Sequence, residues 1–224
     1  MPAYRIVTIE PHPLDELAAE FKARFSCKCF FQSRIRKENS EFARSLRYLG
    51  FDEVEELITF EAPISNRRPR ERGEIRSAVE VDRERVVEIA RHAYTHSRFH
   101  RDSLIPNVVA DKIKANWTAG FFDGTRGDDL LVASVKGRVS GYLLLIERED
   151  KLIIDLIAVD KLERGSGLAK ALVEHAMERA PNHIKLMSAG TSETNRNSIS
   201  FYEALGFSRT THQLTFHKHG HAVE

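Results

Sequence analysis

The residues with the clearest capacity for chemistry form the run Arg-Gly-Ser-Gly-Leu-Ala at 164–169. This run follows an apolar segment rich in branched residues at 151–160 and precedes apolar residues that recur at helical spacing. Glycines at such a junction let backbone N–H groups approach one anion, and a helix N-terminus favours negative charge. The run therefore predicts a diphosphate-binding loop; the alternative is an ordinary strand-to-helix turn.

Two other kinds of phosphate-binding loop do not fit this run. A Walker loop ends in Gly-Lys-Ser/Thr, and a dinucleotide-binding loop places three glycines directly after its first strand. Neither pattern is present, whereas Arg164, Gly167 and Ala169 match the pattern R/Q-x-x-G-x-G/A. A second motif, Asn-Arg-Asn-Ser-Ile-Ser-Phe-Tyr-Glu-Ala-Leu-Gly-Phe, follows at 195–207.

Together the two motifs resemble those of the GCN5-related N-acetyltransferase (GNAT) superfamily over about residues 75–218. The resemblance implies that acetyl-CoA is the co-substrate and that Tyr202 protonates the departing thiolate; a core aromatic is the alternative for Tyr202. It also implies a bulged strand with a free N–H facing the thioester carbonyl. The residues assigned to acetyl-CoA are Ile157, Ala158, Val159, Arg164, Gly165, Ser166, Gly167, Leu168, Ala169 and Asn195.

The group that removes a proton from the acceptor amine stays open. An ammonium group must lose a proton before the amine can attack a thioester. Asp155, inside the apolar strand, is the candidate catalytic base, with a structural hydrogen-bonding role as the alternative. His100 and a relayed water molecule are the other candidates.

The segment 95–106 breaks helical periodicity, and functional residues concentrate in such loops. This loop, the Ile105-Pro106 pair ahead of a helix that carries Trp117, and the N-terminal region resemble bacterial N-acetyltransferases of dTDP-linked 4-amino-4,6-dideoxyhexoses, the dTDP-fucosamine enzymes of surface-polysaccharide synthesis. The resemblance implies a nucleotide-linked amino sugar as acceptor. We expect Arg98 to pair with its diphosphate, Phe99 to stack on a ring and His100 to contact the substrate.

Two other functions remain as alternatives. One is a GNAT enzyme that acetylates a protein N-terminus, a lysine or a polyamine, and the other is a non-catalytic acetyl-CoA-binding module. Polyamine acceptors need an acidic cleft, whereas the loop carries Arg98, His100 and Arg101. A tyrosine at position 202 argues against a module without catalysis.

The chain also contains an internal repeat. Leu-Gly-Phe at 49–51 recurs at 205–207, and the same shift of 156 residues superposes Asn39 on Asn195. Leu46 then falls where Tyr202 stands, so the first copy lacks the acid and has no diphosphate loop. We predict a degenerate half-GNAT domain at 1–65, a linker at 66–74 and a catalytic domain at 75–224; chance similarity is the alternative.

The resemblance implies the α/β GNAT acyltransferase fold, with a central mixed, mostly antiparallel sheet flanked by helices. Periodicity predicts the elements themselves. From residue 75 on, the expected order is β-α-α-β-β-β-α-β-α-β, with the last strand over about 210–217. A strand, a helix and a strand are expected at about 28–35, 39–48 and 53–61.

Composition limits the classes of partner. A net charge of +1 gives no overall field that recruits nucleic acid or an acidic membrane, so neither is an expected partner. Apolar segments are shorter than the roughly 18 residues of a membrane span, and there is no signal-peptide core. These features predict a cytoplasmic protein. The oligomeric state stays open, with a homodimer as the candidate assembly.

Metal ligands are not expected. Cys27 and Cys29 are the only cysteines and form a C-x-C pair typical of reduced core thiols. Of four C-terminal histidines, His212 and His217 flank an apolar run, and His219 and His221 are expected in a tail.

Overall fold

A computed structural model of the chain describes residues 5–8, 29–64 and 73–220. The basic linker at 66–72, Cys27 and His221 lie outside the described residues. The strands are β1 (Arg5–Thr8), β2 (Cys29–Arg36), β3 (Asp52–Pro63), β4 (Glu74–Ser77), β5 (Asp129–Val135), β6 (Arg138–Arg148), β7 (Lys151–Val159), β8 (Leu186–Ser192) and β9 (Ser208–His219). The helices are α1 (Ser40–Tyr48), α2 (Arg83–Ala93), α3 (Arg98–Arg101), α4 (Asn107–Phe122), α5 (Leu168–Glu178) and α6 (Arg196–Ala204).

These strands form one sheet in the order β1-β2-β9-β3-β8-β7-β6-β5-β4. The pairs β1–β2 and β7–β8 are parallel, and the other pairs are antiparallel. The predicted fold class and element order are thereby confirmed. Two details differ: the expected irregular loop at 95–106 contains the short helix α3, and β9 extends to His219, which was wrongly expected in a tail.

The sheet is covered on both faces because successive side chains of β5 and β6 point to opposite sides. Leu131 and Leu143 pack in a core with α5 and α6, whereas Leu130 and Leu144 pack in a core with α2. A third core lies between α1 and strands β2 and β9. Helix α3 lies over β9 on the α4 side, where the Phe99 ring is 6.0 Å from the His217 ring.

The internal repeat is visible in the sheet. A shift of 156 residues converts α1 into α6 and β3 into β9, end to end. Asn39 and Asn195 cap their helices in the same way, each accepting a backbone N–H bond from the third residue on. Leu57 pairs with Gln213, its own equivalent, so a local two-fold axis passes between β3 and β9.

The two copies exchange strands across this axis. β3 of the first copy lies between β8 and β9 of the second, and β9 lies between β2 and β3. Phe60 of β3 accordingly packs in the core that contains Tyr202. The division of the chain into domains at 66–74 stays a prediction, but strands of both parts belong to one sheet.

This exchange predicts that the two copies unfold together. Leu46 of α1 is fully buried, so Leu46→Ala should lower the free energy of unfolding by about 2–5 kcal/mol. Trp117, the only tryptophan, lies in the other copy, and its fluorescence transition in denaturant should shift as far as the circular dichroism transition. The control is Tyr48→Ala on the same helix, at an 82% exposed position. A tryptophan transition that does not move would show that the copies unfold separately.

Candidate active site

The candidate active site begins where two parallel strands diverge. β7 and β8 pair only from Lys151–Leu186 to Ile154–Ala189, although β7 continues to Val159 and β8 to Ser192. Beyond Ile154 the two strands separate, while each keeps its other neighbour in the sheet. The separation leaves a cleft whose edges carry backbone N–H and C=O groups without strand partners on that side.

A β-bulge at Asp155 shapes one edge of this cleft. Leu145 pairs with Ile154 and Leu144 pairs with Leu156, so Asp155 is the extra residue of β7. The bulge reverses which side chains face which layer: Ile154 packs towards α5, whereas Leu156 packs towards α2. The bulged strand is therefore present as expected. A carbonyl-facing N–H at Ile157, Ala158 or Val159 stays a prediction.

The loop 164–169 follows β7 and leads directly into α5. Gly165 and Gly167 have φ angles of 78° and 90°, which L side chains rarely adopt. A Cβ at Gly165 would meet nothing within 4 Å, so the backbone conformation and not lack of space requires glycine. The Leu168 side chain is buried in the core. An anion at the N-terminus of α5 would therefore meet the backbone N–H of Leu168 and not its side chain. This geometry fits a diphosphate.

Asn195 caps the N-terminus of α6, the helix that follows β8, and Tyr202 lies on that helix. The Asn195 side-chain oxygen accepts a bond of 3.2 Å from the Ser198 N–H, which leaves its amide nitrogen for a ligand. Tyr202 is 4% exposed and stacks on Phe60 with ring centroids 5.6 Å apart. A tyrosine hydroxyl is protonated at neutral pH, as a general acid requires, and burial raises the pKa of Tyr202 further.

A second group of residues lies on the α4 side of the sheet and is termed the acceptor cleft. Its members are Arg34, Glu55, Arg98, Lys114, Trp117, Arg126 and Asp155. Three of its cations surround the Trp117 ring: the Arg126 guanidinium carbon is 4.2 Å, Lys114 Nζ 4.5 Å and the Arg98 guanidinium carbon 5.9 Å from the centroid.

Tyr94 borders this cleft, since Lys114 Nζ is 5.2 Å from the centroid of its ring. Burial, followed by the effects of Tyr142, Tyr202 and Asp155, raises the pKa of Tyr94. Its hydroxyl is 2.9 Å from the Tyr142 hydroxyl, which in turn is 3.1 Å from Thr118 Oγ1.

Asp155 and His100 are both bound to other side chains. Arg126 Nε and Nη2 donate to the two carboxylate oxygens of Asp155 at 2.6 and 2.7 Å. The His100 side chain is 7% exposed, and its ring nitrogens lie 2.7 Å from Ser97 Oγ and 3.0 Å from Asp111 Oδ1. The base role of Asp155 and the substrate contact of His100 stay predictions; the observed bonds favour positioning roles for both.

The acceptor cleft has an excess of positive charge. Burial, together with the neighbouring Arg34 and Arg126, lowers the pKa of Arg98 to about 10. Burial and the same kind of repulsion, from Arg98 and Arg126, lower the pKa of Lys114 to about 8. Within the described part of the chain, neither Arg98 nor Lys114 forms an ion pair, and the buried Arg98 Nε has no hydrogen-bond partner. Such a cleft favours an anion.

A buried carboxylate holds α3 in place. Asp102 Oδ2 accepts bonds from His217 Nδ1 at 2.7 Å and His219 Nε2 at 2.9 Å. Burial alone would raise the pKa of Asp102, but these bonds outweigh it and hold the pKa at about 2. The sequence did not reveal this cluster, because it joins residues more than a hundred positions apart. It fixes Arg98 and Phe99 over the sheet.

A family model described as the acetyltransferase (GNAT) family matches residues 84–207. The chain belongs to the GNAT acetyltransferase family. Membership confirms the predicted family and enzyme class, and acetyl-CoA is the acetyl donor that GNAT enzymes use.

Two curated proteins are similar to parts of this chain. The spore coat polysaccharide biosynthesis protein SpsD of Bacillus subtilis is 32% identical over 139 residues, which is 62% of this chain and 47% of SpsD. The peptidyl-lysine N-acetyltransferase YjaB of Salmonella typhimurium is 33% identical over 70 residues, 31% of this chain and 43% of YjaB. The chain thus spans about half the length of SpsD.

Among solved structures, a functionally unknown conserved protein of Staphylococcus epidermidis superposes with a TM-score of 0.68 at 14% identity. The superposition covers 96% of this chain and 84% of that protein, and it supports the fold alone. Of the helices in residues 29–64 and 73–220, none combines the length and apolar character needed to cross a bilayer. In the described residues, no group of His, Cys, Asp and Glu side chains could hold a metal ion.

The loop geometry generates a test of the acetyl-CoA site. Gly165→Asp should weaken acetyl-CoA binding by about 100-fold or more, because unit charges about 4 Å apart near a surface repel by roughly 4 kcal/mol. The matched control is Gly206→Asp in the turn between α6 and β9, since Gly206 also has a positive φ, of 86°, and open space at its Cβ. Calorimetric titration of both variants separates charge repulsion from backbone strain. Equal affinities in the two variants would contradict the diphosphate assignment.

Proposed function

We propose that this GNAT chain transfers the acetyl group of acetyl-CoA to the amine of a nucleotide-linked amino sugar during surface-polysaccharide synthesis. The observation that carries the proposal is the acceptor cleft, which holds four cations and two carboxylates, with three of the cations around the Trp117 ring. A diphosphate supplies the missing negative charge, and an aromatic ring offers a surface for a base or sugar.

The likeness to SpsD supports this substrate class, because SpsD is named as a protein of spore coat polysaccharide biosynthesis. Acetylation of a peptidyl lysine, as YjaB is named for, is the second candidate. A lysine or polyamine acceptor is itself cationic, and Arg98, Lys114 and Arg126 would repel it. The charge of the cleft therefore favours the anionic acceptor.

The proposed chemistry uses groups on both sides of the cleft between β7 and β8. Backbone N–H groups of β7 at 157–159 stabilise negative charge that develops on the carbonyl oxygen, without reorganising. The Tyr202 hydroxyl donates its proton to the departing sulfur. Asp155 holds the Arg126 guanidinium in position, so the favoured route for the proton that the amine loses is a relayed water molecule that passes it to bulk solvent.

The acid role of Tyr202 has a direct test. Tyr202→Phe keeps the ring that packs on Phe60 and removes only the hydroxyl, so kcat should fall by about 100-fold while acetyl-CoA affinity stays nearly constant. Tyr48→Phe removes a hydroxyl from the exposed side of α1 and is the control, with a kcat equal to that of the parent. Steady-state kinetics and calorimetry give the two quantities. An unchanged kcat in Tyr202→Phe would leave Tyr202 with a packing role only.

The acceptor class is tested by measuring CoA release with a panel of acceptors. We expect turnover of a dTDP-, UDP- or GDP-linked amino sugar and little turnover of spermidine or a lysine peptide. Arg98→Gln should raise KM for the sugar nucleotide by about 10-fold or more and leave KM for acetyl-CoA unchanged, because a charged hydrogen bond contributes roughly 1.5–3 kcal/mol. Turnover confined to amines without a phosphate group would overturn this substrate class and leave the GNAT assignment standing.

A further inference from the structure

We infer that the N-terminal copy of the repeat, which lacks the acetyl-CoA motifs, supplies specificity-determining residues to the acceptor cleft. Arg34 of β2 contacts the diphosphate of the acceptor, and Glu55 of β3 is a positioning residue that orients Arg34. This inference rests on the proposed function, since it names the residues that bind the anionic part of that acceptor.

The sheet register brings the two residues into one row. Arg34 pairs with Thr215 of β9, and Thr215 pairs with Glu55 of β3, so the three side chains point to the same face. Arg34 Nε donates to Thr215 Oγ1 at 3.2 Å, and Arg34 Nη2 is 3.7 Å from Glu55 Oε2. The row lies on the face that α3 covers, because the Phe99 ring contacts His217 two residues further along β9.

The charges around Glu55 are not those of a closed ion pair. Glu55 is 7% exposed, and burial raises its pKa against the opposing effect of Arg34, Arg98, Lys114 and Arg101. The Arg34 side chain is 36% exposed, which leaves guanidinium donors open to the cleft. Once Glu55 is matched with Arg34 and Asp155 with Arg126, the charges of Arg98 and Lys114 stay unmatched within the described residues. A diphosphate between Arg34 and these two cations balances them.

The length of the cleft also fits an acceptor that reaches the N-terminal copy. Asp155 lies on β7 and Arg34 on β2, four strand positions away. At a spacing of about 4.8 Å between paired strands this is at least about 19 Å, because β7 and β8 separate beyond Ile154. Glu55 on β3 lies midway, and the Arg34 guanidinium reaches it, with Nη2 3.7 Å from Glu55 Oε2. A sugar at the thioester end, a diphosphate in the middle and a nucleoside at the far end occupy such a span in series. A small amine would use only the end beside Tyr202.

The competing interpretation is that Arg34 and Glu55 only stabilise the sheet. The two interpretations differ in binding, so the test measures affinity for dTDP by calorimetry in the presence of saturating CoA. We expect Arg34→Gln to weaken dTDP binding by about 10- to 100-fold. The matched control is Arg44→Gln, which removes the same charge from the exposed side of α1 and should leave the affinity unchanged.

Two further variants complete the test. Arg34→Lys keeps the charge and should bind dTDP more tightly than Arg34→Gln, which also covers the case in which Arg34→Gln does not fold. Glu55→Gln should raise KM for the acceptor without changing KM for acetyl-CoA, and this effect should disappear when Arg34 is already Gln.

The outcomes separate this inference from the proposed function. If the parent protein binds none of dTDP, UDP and GDP, the proposed function fails. If the parent binds one of them and Arg34→Gln binds it equally well, the inference is overturned while the proposed function stands. Where Arg34→Gln does not fold, an unchanged affinity in both Arg34→Lys and Glu55→Gln overturns the inference in the same way.

Discussion

The antiparallel pairing of β3 with β9 is the constraint on which the remaining structure depends. These strands are equivalent members of the two copies of the repeat, and the local two-fold axis passes between them. Their pairing fixes β8 next to β3, and therefore fixes where β8 stops following β7. The cleft between β7 and β8 can stay open because each of these strands has a complete ladder on its other side. An opening of this kind in an isolated parallel pair would leave two weakly supported edges.

The same pairing joins binding and catalysis. β3 carries Phe60, which packs against Tyr202 on one face, and Glu55, which faces the acceptor cleft on the other. A copy that has lost its own diphosphate loop is thus retained in the core of the site. The second copy cannot complete its sheet without the strands of the first, since β3 lies between β8 and β9.

Local patterns revealed those parts of the fold and site that depend on neighbouring residues. The strand β7, the loop at 164–169 and the helix α6 follow from periodicity, glycine positions and the Asn195 cap. The repeat followed from motif recurrence alone. The strand order did not, because spacing along the chain does not determine which strand inserts between β8 and β9. The end of β9 was misjudged because Asp102, far away in sequence, binds His217 and His219.

The cationic cleft was mostly missed for the same reason. Arg98 and Phe99 were recognised in their loop, but Arg34, Lys114 and Arg126 come from three separate elements that only the tertiary fold brings to Trp117 and Glu55. Likewise, no sequence pattern around Asp155 indicates that Arg126, 29 residues earlier, is its partner.

The exchange of strands has one consequence for the newly made chain. β2 and β3 leave the ribosome early, yet β3 pairs only with β8 and β9, and β2 gains its antiparallel neighbour only from β9. The antiparallel hydrogen bonds of β2 and β3 therefore cannot form until residues 186–219 have been synthesised. The sheet closes late, through contacts of long sequence separation. During that interval β3 and one edge of β2 lack their antiparallel neighbours, and open strand edges of this kind favour pairing with wrong partners.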